Sequence, residues 1–182
     1  EVIGSHGQTV CHYPADAVPN TLQIGEPSFM ALASGIPVVS DFRPADMAAG
    51  GEGAPLIPFM DEYLWGGGRP VIMQNIGGIG NLSVTGKGVK TYGFDTGPGN
   101  CLMDTAVSLA TGGRSGFDRN GKLAFAGSAD KEKIKQFLKM PFFIKRPPKS
   151  LDRDEFGAAF LKKYFGRIGA ANLRHVVATL NL

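Results

Sequence analysis

Apolar positions in this chain fall into short blocks punctuated by glycine and proline. Glu26 to Ser34 reads as a short helix with Pro27 in its first turn and Gly35 closing it. Residues Pro37 to Phe42 read as a strand, and Arg43 to Ala49 as one or two helical turns ended by Gly50-Gly51. Pro55 to Trp65 has helical spacing and stops at Gly66-Gly67-Gly68. Pro70 to Ile76 reads as a second, buried strand running into Gly77-Gly78-Ile79-Gly80-Asn81. Leu82 to Val84 and Val89 to Phe94 flank Thr85-Gly86-Lys87-Gly88, which predicts a hairpin.

Beyond Asp95 the pattern becomes helical. Cys101 to Ala110 predicts a helix stopped by Gly112-Gly113, and Asp118 to Gly121 a turn. Ala129 to Lys139 predicts an amphipathic helix, and Pro141 to Pro148 an extended connector. Arg153 to Phe165 and Ala170 to Leu180 predict two more helices. Strands alternate with helices up to about residue 112, so the expected class is α/β with a helical C-terminal piece.

Composition sharpens this picture at two points. Of 26 glycines in 182 residues, 23 fall in residues 1–127, between apolar blocks, where backbone-lined anion sites need them. Charge is equally uneven. Residues 1–130 hold 7 Lys/Arg against 12 Asp/Glu, a net −5, whereas residues 131–182 carry +8. The basic lysines sit at helical spacing, so they read as a solvated face rather than a nucleic-acid surface. Apolar runs are too short for a membrane span, and Glu1 to Thr9 lacks the marks of a signal peptide. With only Cys11 and Cys101, no disulfide framework is expected, and the reading is a cytoplasmic protein.

Four segments could carry chemistry. Asn75 to Asn81 ends a strand with glycines that let backbone N–H groups approach an anion, although a plain β-turn has the same signature. Asp95-Thr96-Gly97-Pro98-Gly99-Asn100 places an acid at a strand end, either as a general base or as a helix cap. Gly4 to Thr9 offers Ser5, His6 and Gln8 to a sugar, or is a polar turn. Arg43 suits a carboxylate or phosphate, or pairs with Asp41 or Asp46. Gly116 to Lys122 fails as a P-loop because Leu123 replaces Ser/Thr. The three histidines and two cysteines show no zinc pattern, and Cys101 reads as core.

Taken in order, several motifs resemble those of the anhydro-N-acetylmuramic acid kinase family. They are Ile3-Gly4-Ser5-His6-Gly7-Gln8-Thr9, Leu22-Gln23-Ile24-Gly25, Val39-Ser40-Asp41-Phe42-Arg43, and the Gly-rich stretch from Ala48 to Leu56. Asn75-Ile76-Gly77-Gly78, Gly93 to Asp104, and Pro147-Pro148-Lys149-Ser150 complete the series, which covers residues 3 to about 156. Any one is weak; together, in order, they are specific.

The resemblance implies the two-lobed fold shared by sugar kinases, actin and heat-shock chaperones (ribonuclease H-like lobes), with ATP and Mg²⁺ in the cleft. Residues 1–68 would end the sugar-side lobe and 69–182 would begin the nucleotide-side lobe with a helical insertion. It implies an ATP-dependent kinase that opens the anhydro-sugar of cell-wall recycling with water and yields N-acetylmuramic acid 6-phosphate. Asp95 would be the catalytic base. Asn75, Gly77, Gly78, Gly80, Asn81, Gly97, Gly99 and Asn100 would serve ATP and its phosphates, and Ser5, His6, Gln8 and Arg43 the sugar. No protein metal ligand, nucleic acid or membrane partner is expected, and a homodimer is compatible with the reading. A non-catalytic sugar- or nucleotide-binding scaffold is the alternative. The chain departs from the family at Cys11, Pro44, Ala45 and Glu52. It starts past the first phosphate loop and stops short of the adenosine loop, so it looks like a central fragment, expected to lack kinase activity alone.

Overall fold

Glycine, proline and capping side chains set where most elements begin and end. The computed structural model describes residues 1–14, 16–151 and 155–182. The helix start predicted at Arg153 lies outside the described residues. Helix α1 (Pro27–Ser34) starts as the Glu26 carboxylate accepts the Ser28 N–H at 3.1 Å, and Gly35 ends it in the left-handed region at φ 68°. Strand β1 (Ile3–Gly4) pairs in parallel with β4 (Val38–Val39). Between them β2 (Gln8–Tyr13) and β3 (Asn20–Ile24) form an antiparallel pair that the hydrophobic pattern did not reveal. Strand β3 does alternate, but its apolar Leu22 and Ile24 face outward while polar Thr21 and Gln23 are half-buried, so no apolar face marks a core.

The strand expected over Pro37 to Phe42 is cut short. Asp41 turns into the left-handed region at φ 59°, and Phe42 already belongs to helix α2 (Phe42–Ala48). Helix α3 (Ile57–Trp65) follows and lies on the central sheet, with the buried Asp61 carboxylate accepting the Ser83 hydroxyl. That sheet is three consecutive antiparallel strands, β5 (Val71–Ile76), β6 (Ile79–Thr85) and β7 (Tyr92–Pro98), in the order β5-β6-β7. Strict alternation of strands with helices up to residue 112 therefore fails. The expected hairpin exists with shifted arms: β6 begins at Ile79 rather than Leu82, and β7 begins at Tyr92 and runs on through Pro98.

Helix α4 (Cys101–Thr111) is tied to the β5–β6 turn. The amides of Gly99, Asn100 and Cys101 donate to the carbonyls of Gly78, Gly77 and Gly78 at 2.9, 2.8 and 3.1 Å. Any side chain on Gly99 would run into the Gly77 carbonyl, so the close approach requires glycine. After a 3₁₀ turn at Arg119–Gly121, a short helix α5 (Lys122–Ala126) was not foreseen; α6 (Lys131–Phe137) is capped by Asp130. The proline-marked connector is not extended throughout: Pro141 opens helix α7 (Pro141–Ile144), which buries Phe142. Helices α8 (Ala158–Phe165) and α9 (Leu173–Leu180) close the chain.

The buried apolar cluster begins at Leu102. Leu102, Ala106 and Val107 of α4 meet Leu161 of α8 and Val176 and Val177 of α9, and Phe137, Phe142, Phe156 and Phe160 stack against them. No helix among the described residues is long and apolar enough to cross a membrane. Because Leu161 is fully buried, Leu161→Ala should cost about 2–5 kcal/mol in denaturant unfolding. Phe125, 96% exposed on α5, is the control. Phe125→Ala should stay within about 0.5 kcal/mol.

Candidate functional site

Residues far apart in sequence meet at a cleft of about 660 Å³. One wall carries His6, Gln8 and Arg43; the other carries Asn75, Asn81 and Asp95. The Asp41 turn starts α2 so that Arg43 reaches this cleft. Its Nε donates to His6 Nε2 at 2.8 Å and its Nη1 to the Gly53 carbonyl at 2.9 Å. A guanidinium only donates, so His6 Nε2 carries a lone pair and Nδ1–H donates to the Gly7 carbonyl at 2.9 Å. The Gly53 loop is itself pinned, since its N–H donates to Asp46 Oδ2 at 2.7 Å. Neither ion pair offered by the sequence, with Asp41 or with Asp46, forms among the described residues.

Asp95 lies within β7 rather than at its end, opposite Asn81 of β6. Its crevice is therefore not the strand-end crevice of a parallel sheet. Only 5% of it is exposed, yet it lines the cleft. Oδ2 accepts the Leu151 N–H at 2.8 Å and the Ser150 hydroxyl at 3.2 Å, while the Asp95 N–H donates to the Lys149 carbonyl at 3.0 Å. Among the described residues, Oδ1 accepts no hydrogen bond. Burial pushes the Asp95 carboxyl above its ordinary value; the Leu151 and Ser150 donors and Arg43 pull it back, and nearby Glu52 adds to the rise. Arg43 is lowered by burial, against the attraction of Asp95. A carboxyl held this way can exchange a proton with something bound in the cleft.

The other predicted residues are distributed differently. Ser5 lines a smaller cavity of about 450 Å³ beside Gln23, Glu26 and Asp41, and His6 reaches both spaces. Gly77, Gly78, Gly80, Gly97, Gly99 and Asn100 lie outside the cleft lining. Gly80 and Gly97 are cross-strand partners in the sheet, and the amides of Gly99 and Asn100 are spent on the β5–β6 turn. The helix start offered to an anion is therefore engaged by protein carbonyls at these two positions. From the Asn75 to Asn81 segment, Asn75, Ile79 and Asn81 line the cleft. Ser150 and Leu151, which hold Asp95, are not among the predicted site residues; the Pro147 to Ser150 motif is a signal for Ser150, and none marks Leu151.

Among the described residues, no group of three or more His, Cys, Asp or Glu side chains is placed to hold a metal ion. Mg²⁺ bound through nucleotide phosphates and one or two carboxylates needs no such cage.

The family model for anhydro-N-acetylmuramic acid kinase matches residues 1–182. The chain is 44% identical over 171 residues to an anhydro-N-acetylmuramic acid kinase of Caldanaerobacter subterraneus, covering 88% of this chain and 43% of that protein. It is 41% identical over 182 residues to one of Streptomyces coelicolor, covering 98% of this chain and 46% of that protein. A Bacillus cereus relative of the same name is 38% identical, with 100% and 48% covered. The chain thus spans about half the length of the curated relatives it matches.

The raised carboxyl of Asp95 has a consequence for stability. Its folded-state proton affinity exceeds the unfolded one, so the native state gains stability as pH falls through the raised folded value toward the ordinary 3.8. At neutral pH the buried charge is a cost. Asp95→Asn should therefore raise the thermal midpoint at pH 7. Relative to the wild type, the gain should shrink as pH falls through that window, measured by calorimetry of both proteins. A variant less stable at pH 7 would show that the Ser150 and Leu151 donors and Arg43 outweigh burial.

Proposed function

The chain belongs to the anhydro-N-acetylmuramic acid kinase family, and on that premise we propose that the whole protein hydrolytically opens and phosphorylates anhydro-N-acetylmuramic acid. Residues 1–68 belong to its sugar-side lobe and 69–182 to its nucleotide-side lobe, each of the sugar kinase and actin type. One observation carries the reading: a single buried carboxylate, Asp95, reaches a cleft walled by Arg43, His6 and Gln8 on one side and by Asn75 and Asn81 on the other.

In this reading the anhydro-sugar lies against His6, Gln8 and Arg43, and the ATP phosphates approach the β5–β6 turn beside Asn75 and Asn81. Asp95 takes a proton from a water that attacks the anomeric carbon. The bond from that carbon to the six-oxygen breaks, and the freed oxygen takes the γ-phosphoryl group, releasing ADP. The product is N-acetylmuramic acid 6-phosphate. Mg²⁺ bound to the nucleotide would neutralise charge on the phosphates. Arg43, fixed by His6 and the Gly53 carbonyl, is already aimed when an anionic group arrives.

The test is turnover of the full-length protein with anhydro-N-acetylmuramic acid and ATP, read by mass spectrometry of the sugar phosphate. Asp95→Asn keeps the shape and removes the base. General-base catalysis contributes about 10²–10⁴-fold. The expected kcat loss is at least roughly that, with little change in ATP affinity. Asp104, in the first turn of α4 and outside the cleft lining, should affect stability rather than chemistry when changed to Asn. Near-normal kcat for Asp95→Asn, with activity abolished by a folded Asp104→Asn, would move the catalytic assignment.

A further inference from the structure

Asp95 sits on the open edge of the central sheet, since β7 pairs with β6 on one side only. Residues 149–151 close that edge. The Lys149 carbonyl takes the Asp95 N–H, and the next two residues turn back to its carboxylate, Ser150 with its hydroxyl and Leu151 with its N–H. Backbone and side chain of one acid are thus gripped by three consecutive residues.

What holds the grip is a buried cation. Lys149 is only 7% exposed, and its Nζ donates to the Phe142 carbonyl at 3.1 Å, 4.6 Å from the centre of the Phe142 ring and 5.8 Å from that of Phe94. Phe94 precedes Asp95 on β7, so the ammonium is anchored beside one residue while the strap grips the next. Burial lowers Lys149 below the usual lysine range, with Lys145 adding to the effect. A solvated turn needs no such anchor.

We propose that Ser150 is a positioning residue for Asp95, directing its Oδ1 into the cleft, and that Lys149 is the pin that keeps the strap on β7. This rests on the reading of Asp95 as the base. The strap leaves Oδ1 outside its own hydrogen bonds and occupies Oδ2, so the carboxylate presents one oxygen in one orientation. The charged and titratable groups facing Asp95 are Arg43 from α2, Glu52 from the following loop, His6 together with Cys11, His12 and Tyr13 of β2 across the cleft, and residues 149–151. Glu52 is in turn 3.9 Å from Lys145 at the end of α7.

The experiment uses full-length protein and two readouts. In kcat/KM against pH, Ser150→Ala removes a donor to the charged form, so the acidic limb moves to higher pH. In the same variant kcat falls about three- to tenfold while KM for ATP is unchanged, the net worth of one ordinary hydrogen bond, as suits the long 3.2 Å contact. Ser150→Thr, which keeps the hydroxyl, returns the limb to its wild-type position. Lys149→Met fills the space between the rings without the ammonium and lowers kcat through loss of alignment, with circular dichroism confirming the fold. The second readout is independent of activity: isotope-edited infrared titration of the Asp95 carboxyl, with Asp95→Asn as the blank. Ser150→Ala should raise that titration as well. If the wild type shows no turnover but the infrared titration moves, the kinase reading fails and the strap stands. An unmoved limb and an unmoved titration in a folded Ser150→Ala protein overturn the proposal.

Discussion

The arrangement depends on keeping one carboxylate out of water and still usable. Burying an isolated carboxylate is costly enough that proteins neutralise it, pair it or surround it with donors. Asp95 is surrounded: two donors from the 150–151 segment meet one oxygen, and the Arg43 guanidinium supplies a compensating field from across the cleft. Those partners come from a loop and a helix start in two different parts of the chain, far from the strand that carries Asp95.

The rest of the second half acts as a foundation for that convergence. Helix α4 is docked onto the β5–β6 turn by amides of Gly99, Asn100 and Cys101, and it rests on α8 and α9 through Leu102, Ala106 and Val107. Phe142 and Phe143 of α7 bring the same apolar cluster up to the strap, and Phe143 lies where any side chain on Gly97 would have to go. The glycines near Asp95 thus do two jobs. Gly99 permits contact between α4 and the turn, and Gly97, at φ 150°, lets the end of β7 lie against Phe143. Neither lines the cleft.

How much of this could be read from the chain follows from what each signal measures. Helices α1, α3 and α4 were legible because proline starts or glycine stops coincide with apolar spacing. The β2–β3 pair was not, because its apolar Val10, Leu22 and Ile24 face solvent and mark no core face. Helix α7 was hidden by prolines that open it as readily as they interrupt it. At the site, Asp95 and Arg43 stood out by residue type and motif, and the structure brings both to one cleft with His6, Gln8, Asn75 and Asn81. Ser5 and the glycines did not join them, because a glycine-rich motif serves close packing as well as it serves an anion. Ser150 and Leu151 were invisible as site residues: their contact with Asp95 spans more than fifty positions, and half of it is made by a backbone N–H that no residue type advertises.

The most direct test of the central claim is a crystal structure of the full-length protein with the intact anhydro-sugar and a non-hydrolysable ATP analogue. The account predicts a water within hydrogen-bond reach of Asp95 Oδ1, roughly 2.6–3.2 Å, and aimed at the anomeric carbon, with Oδ2 still held by Ser150 and Leu151. A sugar bound elsewhere, or bound in the cleft with another residue holding that water and Asp95 turned away, would contradict it.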